Sequence, residues 1–100
     1  MGTKAVWTIP RDRKDEWLKE HRGDTTLVKK FKKFERSVTE NPLPKPANPA
    51  NPNAKWLKGN LRDTAEYKVG DVRGLYRLSK PEFKIIDLVD FNWKGNITYR

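Results

Sequence analysis

Two cationic side chains of this sequence are spaced so that a β-hairpin would place them side by side. They are Lys68 and Arg73, within the stretch YKVGDVRGLY that runs from Tyr67 to Tyr76. Gly70-Asp71 separates two strand-like runs, and glycine readily adopts the positive φ that the first central position of a type II′ turn requires. With this pair as the turn, Lys68 lies directly opposite Arg73.

Two opposed cations weaken a hairpin and indicate a site for an anion. Like charges directly opposite each other cost a few tenths of a kcal/mol, up to about 1. A phosphate between them would relieve the repulsion, and the planar guanidinium of arginine can bind it through two parallel hydrogen bonds. The alternative is a solvated strand face on which both side chains extend into water, and the pattern alone favours neither.

Side-chain alternation divides the predicted hairpin into two faces. The apolar face predicts the core and carries Tyr67, Val69, Val72, Tyr76 and Leu78. The opposite face carries the candidate site and consists of Glu66, Lys68, Arg73, Leu75 and Arg77. We expect the opposite face to be left uncovered.

Length and charge predict one basic domain with a polyanionic partner. The 100 residues suit a single domain with one modest core. Lys and Arg total 22 against 13 Asp and Glu, a formal net charge of +9. Such a charge attracts nucleic acid, the ribosome or an acidic protein, and aromatic residues among the cations could stack on bases. The alternative is a soluble basic protein without such a partner.

Composition also excludes several classes of protein. The chain has no cysteine, which excludes a disulfide framework and cysteine-ligated zinc and fits a cytoplasmic location. No apolar run approaches the roughly 20 residues of a membrane span, and no signal-peptide core is present. The N-terminus lacks the Ser or Thr of the myristoylation pattern, because Val6 stands there. We expect no membrane association, no metal and no cofactor.

The N-terminal half predicts a strand and two helices. The strand is Thr3 to Pro10, and the first helix follows it, with Asp12 as its N-cap and Gly23 at its end. Asp24 is predicted to cap the second helix. That helix carries an apolar stripe at helical spacing, formed by Leu27, Val28, Phe31, Phe34 and Val38. Its lysines predict a solvated face, with contact to RNA phosphate or to a protein partner as the alternative.

A proline-rich connector and a sheet complete the chain. The connector, about 41–53, holds five of the seven prolines, which predicts an extended spacer. The remainder predicts an antiparallel meander, with a turn at Ser79 to Glu82. Helices should then cover one face of the sheet, which is an α+β domain spanning residues 1–100.

The C-terminal half resembles the RelE/ParE toxin superfamily of toxin–antitoxin pairs. The resemblance covers Lys55 to Tyr99 and includes LKGN at Leu57 to Asn60. Its main motif is a hairpin of the pattern basic-Val-Gly-Asp-x-Arg-x-x-Tyr, which is Lys68 to Tyr76 here. The N-terminal half agrees in element order and in its apolar stripe. The resemblance implies a fold like the compact microbial ribonucleases, with two helices on one face of an antiparallel sheet.

The resemblance implies one of two activities. RelE-like members cut mRNA in the ribosomal A site and block translation, whereas ParE-like members poison DNA gyrase. Both are held inactive by a small antitoxin that wraps the toxin, and the charge of this chain implies an acidic one. We expect a type II toxin that is a ribosome-dependent endoribonuclease (mRNA interferase). The alternative is a gyrase poison or a catalytically degenerate, basic RNA-binding homologue.

The resemblance also assigns roles to individual residues. Arg73 matches the family's catalytic arginine, and Lys68 would add charge or transfer a proton. Tyr99 matches a near-terminal tyrosine that could stack on a base or assist proton transfer, or else simply packs. Glu66 and Lys94 are further acid–base candidates, although Glu66 could equally be a salt-bridge partner. The candidates for contact with RNA or the ribosome are Lys58, Arg77, Trp93, Arg100, Lys32 and Lys33.

The chain departs from the family on its last strand. Many ribosome-dependent members have a His or Arg there, where this chain has Trp93 and Lys94. The only histidine, His21, is predicted to be a surface residue of the first helix. Without a histidine acid–base pair, such an enzyme would need the ribosome to orient the 2′-hydroxyl, and orientation can contribute about 7–11 kcal/mol at best.

Overall fold

The computed structural model describes residues 7–40, 42–43, 54–57 and 63–97. Its elements, in chain order, are the helices α1 (Arg11–His21) and α2 (Thr25–Glu40) and the strands β1 (Ala54–Trp56), β2 (Thr64–Val69), β3 (Val72–Lys80) and β4 (Ile85–Trp93). Two short 3-10 turns lie at Pro81–Phe83 and Lys94–Asn96. Two helices followed by four antiparallel strands confirm the predicted α+β class. Most of the proline-rich connector lies outside the described residues.

Helix α1 begins two residues earlier than predicted. Its N-cap position is Pro10, with no side-chain cap, so the prediction that Asp12 caps this helix is wrong. The Pro10 carbonyl accepts the Lys14 N–H at 3.0 Å, and Asp12 lies in the first turn instead. A carboxylate there still favours the positive end of the helix dipole. The buried Trp17 fixes α1 to the sheet, because its Nε1 donates to the Phe91 carbonyl at 2.8 Å.

Helix α2 begins where the sequence predicts. The Asp24 carboxylate accepts the Leu27 N–H at 3.1 Å, which confirms Asp24 as the N-cap. The apolar stripe of α2 faces the sheet. Four of its five residues are buried, namely Leu27, Phe31, Phe34 and Val38, while Val28 is partly buried against them.

The sheet is a meander in the order β1-β2-β3-β4, with every neighbouring pair antiparallel. In the β2–β3 hairpin, Lys68 lies opposite Arg73 and Val69 opposite Val72, as predicted. Gly70 has φ +60° and Asp71 does not have a positive φ, as a type II′ turn requires. Strand β3 continues through Lys80, so the next turn lies two residues beyond its predicted start at Ser79.

The predicted N-terminal strand is reduced to one parallel bridge in the described residues. Thr8 pairs with Ile85, the first residue of β4. The Thr8 N–H donates to the Lys84 carbonyl and the Ile86 N–H donates to the Thr8 carbonyl, both at 2.9 Å. This bridge places the segment before α1 along the β4 side of the sheet.

The core lies between the helices and one face of the sheet and is mainly aromatic. Trp17 stacks on Phe31 with ring centroids 4.2 Å apart, and Phe91 meets both rings edge-on. Gly74 leaves space for the rings of Phe34 and Phe91, since a Cβ at position 74 would lie 2.7 Å from the first and 2.9 Å from the second. Glycine at position 74 is therefore a packing requirement. The core face predicted for the hairpin is confirmed, because Tyr67, Val69, Val72 and Tyr76 are buried and Leu78 packs partly buried against them.

The buried Tyr76 connects β3 to the start of the connector. Its hydroxyl donates to the carbonyl of Pro42, which is also buried. Burial raises the pKa of the Tyr76 hydroxyl. A neutral hydroxyl with a carbonyl partner satisfies both buried polar groups, so Tyr76 anchors the chain where it leaves α2.

Candidate functional site

The end of the β2–β3 hairpin brings several predicted site residues together. Lys68 on β2 lies opposite Arg73 on β3, and Arg73 in turn lies opposite Asn92 on β4. The Lys94 N–H donates to the Asp71 carbonyl at 2.8 Å, which attaches the 3-10 turn after β4 to the hairpin turn. Lys68, Arg73 and the backbone of Lys94 therefore meet at one end of the sheet.

Arg73 is turned back onto its own hairpin turn. Its Nη1 donates to the Gly70 carbonyl at 2.8 Å and to the Val72 carbonyl at 3.0 Å. These two bonds draw the guanidinium towards backbone oxygens, which offsets its repulsion by Lys68. Within the described part of the chain its Nη2 and Nε form no hydrogen bond. Arg73 is only 9 % exposed, so a ligand would have to reach a narrow opening or draw the side chain out.

The face that carries Arg73 is covered at its centre, and the prediction that it is open is wrong. Leu75 is 1 % exposed and Glu66 is 5 % exposed. Leu75 and the buried Ile97 do not belong to the main core cluster. Burial of a leucine side chain stabilises a fold by about 1.5–3 kcal/mol. The burial of Leu75 therefore makes it favourable for the middle of this face to be covered. Lys68 remains exposed near the edge of that cover.

Glu66 forms an ion pair with Lys55 of β1. Its Oε1 lies 3.7 Å from the Lys55 Nζ, and the two residues are opposite each other in the β1–β2 ladder. The Glu66 side chain is almost fully buried, while that of Lys55 is mostly exposed. The salt-bridge alternative for Glu66 is the one found, with Lys55 rather than Lys68 or Arg73 as its partner. A buried, paired carboxylate is poorly placed to accept a proton from a substrate.

Arg77 lies away from the hairpin end, whereas Trp93 lies beside it, opposite Val72, with its indole N–H already bonded. Arg77 lies at the opposite end of the β2–β3 ladder, where its Nε donates to Thr64 Oγ1 at 3.1 Å. Trp93 packs partly against the core and donates its Nε1 to Asp24 Oδ2 at 2.7 Å. Its indole therefore fixes β4 to the start of α2, and stacking on a base would require this bond to break.

The two predicted lysines of α2 lie on different sides of the helix. Lys32 lies beside a recess that also contains Lys14, Glu35 and Arg36. Lys33 lines a cleft of about 480 Å³ between α2 and the end of β2. We call this the lysine cleft, and its polar lining is formed by Lys29, Lys30, Lys33 and Lys68, with Tyr67 and Gly70 beneath them.

Lys29 and Lys30 were not singled out as site residues from the sequence. Helical spacing places Lys29 and Lys33 on one side of α2, with Lys30 next to them. This spacing can be read from the sequence, but it does not show which strand this side of α2 lies against. Three further predicted site residues, Lys58, Tyr99 and Arg100, lie outside the described residues.

His21 is less exposed than the prediction of a surface residue implies. Its ring lies against Trp17, with centroids 4.6 Å apart, and 21 % of its side chain is exposed. It belongs to the packing of α1, far along the chain from the hairpin residues. No group of three or more His, Cys, Asp or Glu side chains in the described ranges could hold a metal ion.

None of the described helices is long and apolar enough to cross a membrane. The chain matches no family model, no curated protein and no solved structure. What can be inferred about its function therefore depends on the residues themselves and on the hairpin motif.

Proposed function

We propose that this chain is a RelE-like toxin, a ribosome-dependent endoribonuclease that cuts mRNA in the A site and is inhibited by an acidic antitoxin. The observation that carries the proposal is the pairing of Lys68 with Arg73 beside the Gly70 turn. That pairing lies within the motif by which the sequence resembles the superfamily. The net charge of +9 supports a polyanionic substrate and an acidic partner.

Arg73 is assigned the role of stabilising the transition state of the cleavage. When a 2′-hydroxyl attacks the adjacent phosphorus, negative charge accumulates on the phosphate oxygens, and a guanidinium stabilises that charge through paired hydrogen bonds. The two carbonyl bonds of Nη1 orient the group, and Nη2 and Nε remain as donors for phosphate. Lys68, on the adjacent strand, supplies a second positive charge from an exposed position.

Proton transfer is the step for which this site has the fewest suitably placed side chains. Glu66 is paired with Lys55, and His21 belongs to the packing of α1, so neither is placed to serve as base or acid. Lys68, Lys94 and Tyr99 are the remaining candidates for that step. Such an enzyme would cleave free RNA slowly, and it would depend on the ribosome to place the 2′-hydroxyl in line with the scissile bond.

The burial of Arg73 supports a second candidate function, that of a non-enzymatic binder. A hydrogen bond to a charged group contributes about 1.5–3 kcal/mol. A phosphate that draws Nη1 of Arg73 from its two carbonyls must therefore form hydrogen bonds stronger than the two that are lost. An arginine that only stabilises its own turn would leave the chain a gyrase poison or a degenerate RNA-binding homologue. Trp93 and Lys94 at the end of β4, where many family nucleases have His or Arg, support the same alternative.

Primer extension on an mRNA in a purified translation system tests the two functions. The wild-type protein and the Arg73→Gln variant are compared with and without ribosomes, and Arg11→Gln serves as the control. Arg11 suits this purpose because it is an exposed arginine of α1 that is not among the candidate RNA contacts. Circular dichroism verifies that each variant is folded.

The nuclease proposal predicts new RNA ends at in-frame codons that appear only with ribosomes. They should be lost in Arg73→Gln and retained in Arg11→Gln. Intact mRNA in every lane would contradict the nuclease proposal. A DNA gyrase supercoiling assay with the wild-type protein would then test the non-enzymatic alternative.

A further inference from the structure

We propose that the lysine cleft is a separate binding site for the phosphate backbone of single-stranded RNA. It lies on the helix-covered side of the sheet, between α2 and the end of β2. Its volume of about 480 Å³ falls within the roughly 300–1,000 Å³ of typical ligand sites. Binding there does not require that the chain cleaves RNA, so this site goes beyond the proposed nuclease.

The ammonium groups of the cleft come from α2. Lys29, Lys30 and Lys33 lie at neighbouring positions of that helix, and the strand residue Lys68 also lines the cleft, although its side chain belongs to the other face of the hairpin. Lys30 reaches the hairpin turn, because a Cβ on Gly70 would lie 3.3 Å from its Nζ.

The positive charge of the cleft is not neutralised by carboxylates. In the described part of the chain none of its four lysines forms a salt bridge, and no Asp or Glu lines the cleft. Lys14 provides the contrast, since its Nζ lies 3.0 Å from a Glu35 carboxylate oxygen. The three unneutralised lysines of α2 raise the local potential of this concave surface, and a bound polyanion would relieve their mutual repulsion.

The lining favours phosphate over an acidic protein. The large side chains at its base, Tyr67 and Val69, are buried, and the Tyr67 hydroxyl donates to Ser37 Oγ at 2.8 Å. The described lining of the cleft thus offers no exposed aromatic or aliphatic anchor, whereas protein partners gain most of their binding energy from such anchors. Phosphates need only cations, and contacts of this kind do not depend on base sequence.

Lys68 connects the lysine cleft to the proposed catalytic pair. It lines the cleft and is also the direct cross-strand neighbour of Arg73. A strand of RNA that crosses the hairpin end could therefore contact both sites. In this arrangement the cleft holds the backbone of the RNA beside the pair, and the pair acts on a phosphate at the hairpin end.

The test is the binding of an end-labelled oligouridylate, measured by fluorescence anisotropy at several salt concentrations. The test variant is Lys29→Gln/Lys30→Gln/Lys33→Gln, which leaves Lys68 in place. The matched control is Arg11→Gln/Lys19→Gln/Arg36→Gln, at exposed positions that do not line the cleft. Each variant removes three positive charges and so lowers the formal net charge from +9 to +6.

We expect the test variant to bind about tenfold more weakly or worse at moderate salt. The slope of log affinity against log salt should also fall by about 2, since each phosphate contact on a single strand contributes about 0.7. The control variant should keep the wild-type slope and lose less affinity. Equal losses in both variants would show that net charge alone drives binding and would overturn the proposal, as would unchanged binding in the test variant.

Two further measurements separate this site from its alternatives. If polyglutamate binds the wild-type protein as tightly as the oligouridylate does, with the same dependence on Lys29, Lys30 and Lys33, the cleft is a surface for an acidic protein and the RNA proposal fails. If the test variant loses RNA affinity while the wild-type protein cuts no mRNA in the translation assay, the nuclease proposal fails and the cleft proposal stands.

Discussion

Trp93 donates its indole N–H to Asp24 across the molecule, at 2.7 Å between Nε1 and Oδ2. The other oxygen of that carboxylate accepts the Leu27 N–H at the start of α2. One side chain thus caps α2 and attaches the end of β4 to it. Because β4 continues into the turn that bonds to Asp71, this contact also helps to hold the hairpin end beside α2.

Asp24→Ala should destabilise the protein. The substitution removes both the N-cap of α2 and the acceptor of the Trp93 indole N–H. Chemical denaturation followed by circular dichroism measures the change in the free energy of unfolding. Asp12→Ala is the control, because Asp12 lies in the first turn of α1 without capping it. Equal effects of the two substitutions would contradict the double role of Asp24.

The same contact predicts a pH dependence. The hydrogen bond from Trp93, followed by that from the Leu27 N–H, holds the pKa of Asp24 below its ordinary value of 3.8. Because the folded state favours the charged form, this stability is present above pH 3.8 and is lost as the pH falls through the lower folded-state pKa. An NMR titration of Asp24 should show its pKa rising in Trp93→Phe. An unchanged pKa would show that the indole is not the main cause.

The hairpin was predictable because its geometry is local. Gly70-Asp71 allows one two-residue turn, and the alternation of side chains then determines the partner of Lys68 and the face of Tyr76. The apolar stripe of α2 was predictable for the same reason, since helical spacing alone brings Leu27 and Phe31 to one side. In both cases a pattern within one helix or one hairpin decides the structure.

The candidate site was less predictable because it depends on how the elements pack. The spacing of Lys29 and Lys33 defines one side of α2, but only the docking of α2 on the sheet places that side beside Lys68. The burial of Leu75 likewise depends on chain beyond the hairpin, which strand alternation does not describe. Arg73 bonds to the Gly70 carbonyl rather than extending into water, and the sequence carries no signal for that choice of rotamer.

Gly74→Ala should destabilise the protein by about 1–3 kcal/mol, the usual cost of overpacking a core. Its added methyl group would lie within 3 Å of the rings of Phe34 and Phe91, neither of which can move without disturbing the aromatic core. Thermal unfolding of the variant measures the loss. Gly95→Ala is the matched control, because nothing lies within 4 Å of a Cβ there and its φ is ordinary. Similar melting temperatures for the two variants would contradict the packing role of Gly74.

Lys33→Gln should stabilise the free protein while it weakens RNA binding. Lys33 lies four residues after Lys29 and three after Lys30, and like charges at these helical spacings each cost about 0.2–0.5 kcal/mol. We therefore expect a gain of about 0.5 kcal/mol in the free energy of unfolding, measured by chemical denaturation at low salt and diminished at high salt. Lys32→Gln should gain less, because Lys32 has the opposite charge of Glu35 three residues on. If Lys33→Gln lowers both the stability and the RNA affinity, Lys33 supports the fold. The prediction that this lysine lowers stability while it increases RNA affinity would then be wrong. Higher stability with weaker binding would show that α2 retains repulsive charges because RNA needs them.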